Sequence, residues 1–378
     1  MATIETNPNA EMTRHLVAAG VFRKNPITIV DVGARWGFNS EWSVFGDSLR
    51  VICFEPDEDE CRRLNSGAKG NVVYIPAALG REESMETLYE TALSASSGLY
   101  KTDMDYFSRL LNRDNGIVAS ERKLRVDTLD RILAANNIEA IDFIKLDVEG
   151  AELDVLIGGD RFVKNNGLIG ILSEIRFQEE INHCPVFWQL DQHVRQSGFR
   201  LFNLQFHHQS RRALPYPGLV DYRTAEGKRF FAYTTHGQIM DGDALYFRDF
   251  LIPANANRCH NMDPTQLLKA AALLEVYCLN DCAAELIIAF REKLDGLVDC
   301  SHLLNLLTKG TGTDEQNYEA YMDRYFDPGA GIIAGQNASA SASADQLRAE
   351  LNTVYTSLSW RITRPLRAFK RILRVLAR

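Results

Sequence analysis

The 378-residue chain is 46% hydrophobic and 24% charged, the ordinary balance of a globular protein with room for one sizeable core plus accessory elements. Its net charge is −8, but residues 361–378 carry seven Arg or Lys and no acid, which leaves −8 − 7 = −15 for the rest. A body that acidic excludes a general nucleic-acid binder, and the basic tail needs its own explanation.

In chain order, Ile27-Thr-Ile-Val-Asp-Val-Gly33 is a short apolar run feeding a turn, the pattern of a buried parallel strand. Arg50–Glu55 repeats it and stops at Pro56; Asn71–Pro76, Ile141–Asp147 and Leu168–Glu174 are further strands of the same kind. Helical spacing is expected over Asp57–Ser66, Val126–Asn136, Ala151–Val163 and Phe187–Ser197, followed by a strand at Phe199–Phe206 and an edge strand at Phe230–Thr234. This alternation predicts an α/β fold with a Rossmann-like, doubly wound, mostly parallel sheet covered on both faces. After Pro264 the texture turns helical, over Thr265–Asn280, Cys282–Leu294 and Ser301–Leu307. Pro328–Asp345, rich in Gly and alternating Ala/Ser, reads as a flexible linker. Beyond it, Leu347, Leu351, Val354 and Leu358 recur as on an interaction helix. The expected organisation is an N-terminal extension (1–25), a catalytic domain (26–255), a helical accessory region (256–327), a linker (328–345), and an interaction helix with a basic amphipathic tail (346–378).

The first strand closes on Asp31-Val-Gly33-Ala-Arg-Trp-Gly37. Gly33 lets the chain turn tightly, and Gly37 lets the next helix approach a ligand. In a dinucleotide fingerprint the second glycine admits a pyrophosphate, but that position here is Arg35. S-adenosylmethionine has no phosphate and needs only close backbone contact, so the spacing favours it. Glu55, at the close of the second strand before Pro56, is placed to accept both ribose hydroxyls; the alternative role is a helix-start acid. Asp31 orients the glycine loop, contacts the aminoacyl end, or satisfies strand-end amides.

Asp31–Gly37, Phe54-Glu55-Pro56, Ala77-Ala78-Leu79-Gly80, Thr128-Leu129-Asp130 and above all Ile144-Lys-Leu-Asp147-Val-Glu149-Gly150-Ala-Glu152 resemble the FkbM-type methyltransferase family, over about residues 26–205. The resemblance implies a Rossmann-like fold, S-adenosylmethionine as donor, and O-methylation of a hydroxyl, often on a sugar or natural product. It leaves the acceptor open. The cofactor-binding positions are then Asp31, Gly33, Arg35, Gly37, Glu55, Pro56 and Ala78.

Methyl transfer from a sulfonium is an in-line displacement, and an alcohol at neutral pH gains from a general base. Asp147 ends the fourth strand and leads the candidates, with Glu149 on the following turn; both also suit amide capping at a helix start. Glu152 is expected to support its helix, and Lys145 to pair with a neighbouring acid. Glu174, at the same rim, is a base or an acceptor contact, and His207 and His208 follow the strand through Phe206. Asp147, Glu149 and Glu174 together offer oxygens to a divalent ion, but no dedicated metal motif is present, and no metal is assigned. Ser94–Ser97 with Gly98 lines the adenine or acceptor side, or forms a plain Ser-rich loop.

The chain closes on Ser359-Trp360-Arg-Ile-Thr-Arg-Pro365-Leu-Arg367, similar to the C-terminal tails of bacterial enzymes that assemble surface polysaccharides. Leu366, Phe369, Ile372, Leu373 and Leu376 fall on one helical face, with Arg367, Lys370, Arg371, Arg374 and Arg378 on the other. Such a helix lies on an anionic membrane surface or docks on the acidic body. Met1–Arg14 holds no signal-peptide core, no run reaches the ~20 apolar residues of a membrane span, and seven scattered cysteines suit reduced thiols. The expected location is cytoplasmic, peripheral on the inner membrane face, with a homo-oligomer possible through 346–358. The expected partner is a glycan or small-molecule acceptor, with no nucleic acid. The expected activity is methylation of a saccharide hydroxyl; the alternatives are a soluble secondary-metabolite acceptor and a non-catalytic assembly module.

Overall fold

The apolar runs become the centre of one sheet in the computed structural model, which describes residues 4–327 apart from 39, 69, 94–95, 165–166, 220, 224–228, 232, 253–254, 256–261, 312–314 and 316. The linker, interaction helix and basic tail expected from 328 onward lie outside the described residues. The strands are β1 (Ile27–Val32), β2 (Leu49–Phe54), β3 (Asn71–Ile75), β4 (Ala78–Leu79), β5 (Ser84–Thr91), β6 (Val118–Asp127), β7 (Phe143–Leu146), β8 (Gly170–Arg176), β9 (Arg200–Gln209), β10 (Asp221–Arg223), β11 (Arg229–Phe231) and β12 (Gln238–Phe247). Seven form the main sheet in the order β3-β2-β1-β7-β8-β12-β9. Pairings from β3 to β8 are parallel, and β12 runs antiparallel to both β8 and β9.

Strands buried on both faces need not alternate in polarity, which is why every residue of β1 is buried. One face packs Val30, Val32, Ile144 and Leu146 against the helices Leu129–Ala135, Glu152–Gly158, Asp160–Lys164 and Phe187–Gln196. The opposite face carries an aromatic cluster: Phe143 stacks on Tyr277 at 5.3 Å and meets Trp42 edge-on at 6.3 Å. The helix Pro264–Val276 belongs to this layer and is buried almost all round, with Leu267, Leu268 and Leu273 at 1% exposure or less. Its Glu275 carboxylate accepts the amides of Met12 and Thr13, capping the helix Glu11–Ala18.

Contacts divide the chain into two units, Met1–Cys300 and Ser301–Arg378. Within the described part of the second, the helix Tyr318–Phe326 is tied at its start by Asn305 Oδ1, which accepts the Tyr318 amide at 2.8 Å. No helix among the described residues is long and apolar enough to cross a membrane.

Several elements differ from expectation. The helix expected over Val126–Asn136 starts at Leu129, because Val126 and Asp127 finish β6 and Thr128 caps the helix by accepting the Arg131 amide. The helix expected over Ala151–Val163 is two, broken at Gly159. The strand expected at Phe230–Thr234 is β11, paired with β10 in a separate ribbon, and Thr234 only bridges to His208 and Gly218.

Candidate active site

The strand order reverses between β1 and β7, so their carboxyl ends open a crevice. Val32 is level with both Phe54 and Leu146, which brings the loops after β1, β2 and β7 to one edge. Gly33 adopts φ +91°, and a Cβ there would lie 1.9 Å from the Asp147 carbonyl oxygen. Glycine is therefore what lets the first and third loops touch. The third loop is folded by its own acid: buried Glu152 accepts the amides of Val148 (2.8 Å) and Gly150 (3.0 Å). That grip holds Glu149 at φ +57°, a left-handed conformation that a glutamate rarely adopts.

A cavity of about 430 Å³ fills the crevice. Gly33, Arg35, Gly37, Glu55, Pro56 and Ala78 all line it, so six of the seven positions expected to hold the cofactor meet in one place. Glu55 is 4% exposed; one oxygen accepts the Asp57 amide at 2.9 Å, and Arg35 stands 3.8 Å away. Burial pushes its carboxyl above the usual range. The seventh position, Asp31, is fully buried and does not line the cavity; it pairs with Lys145 at 3.3 Å. Lys145 does line it and bonds Asp147 at 3.1 Å, the acid pairing expected of it. Asp31 thus holds the wall residue Lys145 from behind.

A second cavity, of about 110 Å³, adjoins the first, with Trp36 and Glu149 in the walls of both. At its base Arg176 reaches three carboxylates: Nη2 donates to Glu149 and to Glu174 (3.2 Å), and Nη1 to Glu180 (3.2 Å). Three acids sharing one buried guanidinium cannot all be comfortable as anions. Burial pushes Glu149 up to about 8 and Glu174 well above the carboxylate range, against the pull of Arg176. Asp243, opposite Glu174 on β12, is raised to about 7 by burial and by the charge of Asp147.

Asp147, Glu149 and Glu174 each present an oxygen within 4.8 Å of the others, the spacing of a hard-cation site. Arg176 already supplies positive charge to two of the three. His207 lines neither cavity. It is buried, its Nδ1 lies 2.9 Å from Asp241 Oδ1, and its ring stacks on Tyr233 at 3.9 Å, so it backs a wall residue. Asp147 lines the larger cavity only, while Glu149 and Glu174 line the smaller. Ser97 and Gly98 line the larger cavity and Ser96 the smaller, whereas Ser94 lies outside the described residues.

Sequence reasoning missed Trp36, Arg176, Glu180, Gln209 and Asp241. Trp36 was visible in the glycine loop, and Arg176 with Glu180 stands at i, i+4 just past a recognised strand. Gln209 and Asp241 come together only through the β9–β12 pairing, for which a single sequence carries no sign.

Residues 31–201, just under half of the chain, match the family model of the methyltransferase FkbM domain. No curated protein matches the chain in sequence. Among solved structures it is similar to an S-adenosylmethionine-dependent methyltransferase from Aquifex aeolicus, at 11% identity and TM-score 0.26, covering 64% of this chain and 94% of that one. It is also similar to one from Agrobacterium tumefaciens, at 7% identity and TM-score 0.27, covering 64% and 62%. The larger cavity offers that cofactor a buried carboxyl at Glu55, close backbone at Gly33 and Gly37, and the acid Asp147 in its wall. The match over residues 31–201 points to S-adenosylmethionine as the cofactor and to methyl transfer as the activity.

Proposed function

We propose that the protein is an O-methyltransferase whose acceptor is a saccharide hydroxyl in surface-polysaccharide or glycan biosynthesis, with Glu149 as the general base. The observation that carries this reading is the position of the Glu149 carboxyl, in the wall of the larger cavity and of the smaller one at once. A group that touches both sides of a transfer is where the proton must go.

S-adenosylmethionine, when bound, supplies a methyl group on a cationic sulfur. Glu55 and the glycine loop hold the adenosine end, and Arg35 keeps Glu55 in place. Glu149 accepts the hydroxyl proton as the oxygen–carbon bond forms and the sulfur–carbon bond breaks, its electron pair staying on sulfur. Arg176 and Glu174 orient the base; Asp147, tied to Lys145, shapes the wall beside it. The glycan setting is supported by the tail sequence, and membrane attachment through 361–378 belongs to the same proposal.

Calorimetric titration of the full chain with S-adenosylmethionine and its demethylated product, beside Glu55→Ala, tests the donor site. The expected result is micromolar binding weakened about ten-fold or more by the substitution, the loss of hydrogen bonds to a charged acceptor. Methyl-labelled cofactor with a panel of glycosides, phenols, amines and thiols then tests the acceptor. Label on glycoside oxygen supports the reading, and label confined to nitrogen or sulfur overturns it.

A further inference from the structure

Among the described residues, ten buried side-chain polar atoms have no hydrogen-bond partner, and four of them belong to residues lining the 110 Å³ cavity. Three are acceptor oxygens: Asn112 Oδ1, Glu180 Oε2 and Gln209 Oε1. These residues are 7%, 1% and 7% exposed and come from three separate segments: the connection between β5 and β6, the loop after β8, and the end of β9. Native proteins leave few such atoms unsatisfied, so three of them on residues that line one small cavity are a chemical signature.

For Gln209 and Glu180, partners elsewhere fix what they offer. Gln209 Nε2 donates to Asp241 Oδ2 at 3.2 Å, and a carboxylate can only accept, so the amide cannot turn its donor away. Glu180 spends its other oxygen on Arg176. The fourth unpartnered atom, Arg176 Nε, is a single donor on a guanidinium whose two terminal nitrogens already hold three carboxylates. A phosphate or carboxylate entering here would meet the carboxyl groups of Glu149, Glu174, Glu180 and Asp241, while Arg176, the one cation among the described lining residues, is already shared by three of them. The apolar surface is also specific. Trp36 is 64% exposed yet lines both cavities, and Phe107 and Ile181 contribute to the smaller one. Hydroxyl donors around a flat ring with apolar faces match that combination.

We propose that Asn112, Glu180 and Gln209 are the specificity-determining residues of the acceptor site, accepting hydrogen bonds from hydroxyls of an uncharged sugar ring whose apolar face lies on Trp36. This rests on the reading of the small cavity as the acceptor side. It goes further in assigning the charge of the acceptor and the atoms that read it. The methylated hydroxyl points to Glu149, and its neighbours on the ring point to the three oxygens.

The test uses the full chain, S-adenosylmethionine, and matched methyl glycosides: neutral hexosides, their single-deoxy analogues, uronates and amino sugars. Asn112→Leu and Gln209→Met remove an acceptor at similar volume. Each is expected to raise KM for the best neutral hexoside about ten-fold, with cofactor affinity by calorimetry within about two-fold, which shows an intact fold. The deoxy analogue lacking the hydroxyl that is read should lose about the same factor with the unaltered protein, and nothing further with the variant. A uronate or amino sugar as best acceptor, or KM unchanged in both variants, overturns the proposal. If no glycoside is methylated, saturation-transfer NMR with the demethylated cofactor present separates the two readings. Hexoside binding that the variants weaken upholds the subsite and sinks the O-methylation reading; absence of any hexoside binding sinks the subsite.

Discussion

Glu149 combines a left-handed backbone, a buried carboxyl and a guanidinium partner, and each has a consequence that can be measured. A non-glycine residue at φ +57° costs about 1–3 kcal/mol, which the amide grip of Glu152 on either side of it offsets. Burial raises the carboxyl to about 8, so at lower pH the protonated form predominates and cannot accept a proton. The rate with a saturating donor is therefore expected to rise with pH through about 8 and then level off. Glu149→Gln should lower kcat by about 100-fold or more and abolish that limb, while leaving cofactor affinity within about three-fold. A pH–rate profile of both proteins checks this, and an unchanged limb in the variant would assign it to another group. Stability has the opposite slope. The folded state holds a proton that the unfolded chain, with a pKa near 4.3, has already lost, so the raised pKa contributes stability below that value and loses it as pH climbs through 8. Urea midpoints at pH 6 and 8.5 should show a decline that Glu149→Gln reduces.

At the scale of elements, the second layer of the sheet hangs on a buried ion pair. Lys269 Nζ, in the helix Pro264–Val276, donates to Asp142 Oδ2, Asn25 Oδ1 and the Pro26 carbonyl, each at 2.8 Å. Asp142 also accepts the Thr28 amide, tying the start of β7 to that of β1. Lys269→Ala leaves a buried carboxylate without its cation and should cost about 3–5 kcal/mol in urea denaturation. Adding Asp142→Asn to Lys269→Met should recover much of the loss, because the two charges disappear together. A fully additive double variant would place the stabilisation elsewhere. The same contrast explains what the sequence disclosed. The parallel strands were legible because they are buried on both faces and read as unbroken apolar runs. The strand β12 was not, because Asp241-Gly242-Asp243 has the composition of a turn. In the fold Gly242 is required by contact: a Cβ there would lie 2.1 Å from the Gln205 carbonyl oxygen. The β5–β6 pair was hidden by charge, since Glu121, Arg122 and Lys123 on its long second strand are exposed, although Arg122 lines the larger cavity together with Leu88 and Thr91. The cofactor wall was legible because its residues lie on loops next to those apolar runs. The wall of the smaller cavity was not, because it draws on β9, β12 and the β5–β6 connection, brought together by pairings remote in sequence.

At the scale of the whole molecule, charge is split between a body of −15 and a tail of +7, and the two ends of that dipole compete for partners. An anionic bilayer attracts the tail and repels the body, so binding depends on whether the tail prefers lipid to its own protein. Each Lys or Arg contributes about 1 kcal/mol at an anionic surface, so the seven of the tail set the attraction that the acidic body opposes. Charge alone would make attachment vanish once salt shortens the screening length to about 3 Å at 1 M. The apolar residues Leu366, Phe369, Ile372, Leu373 and Leu376 add a component that salt does not screen. The full chain is therefore expected to co-sediment with vesicles rich in anionic lipid, to bind neutral vesicles far more weakly, and to retain partial binding at high salt. Phe369→Asp with Leu373→Asp should remove the salt-resistant fraction, and replacing Arg367, Lys370, Arg371 and Arg374 by Gln should remove the salt-sensitive one. If both variants match the unaltered protein on every vesicle, the tail serves the body instead, and the acceptor must reach the site from solution rather than from a lipid carrier.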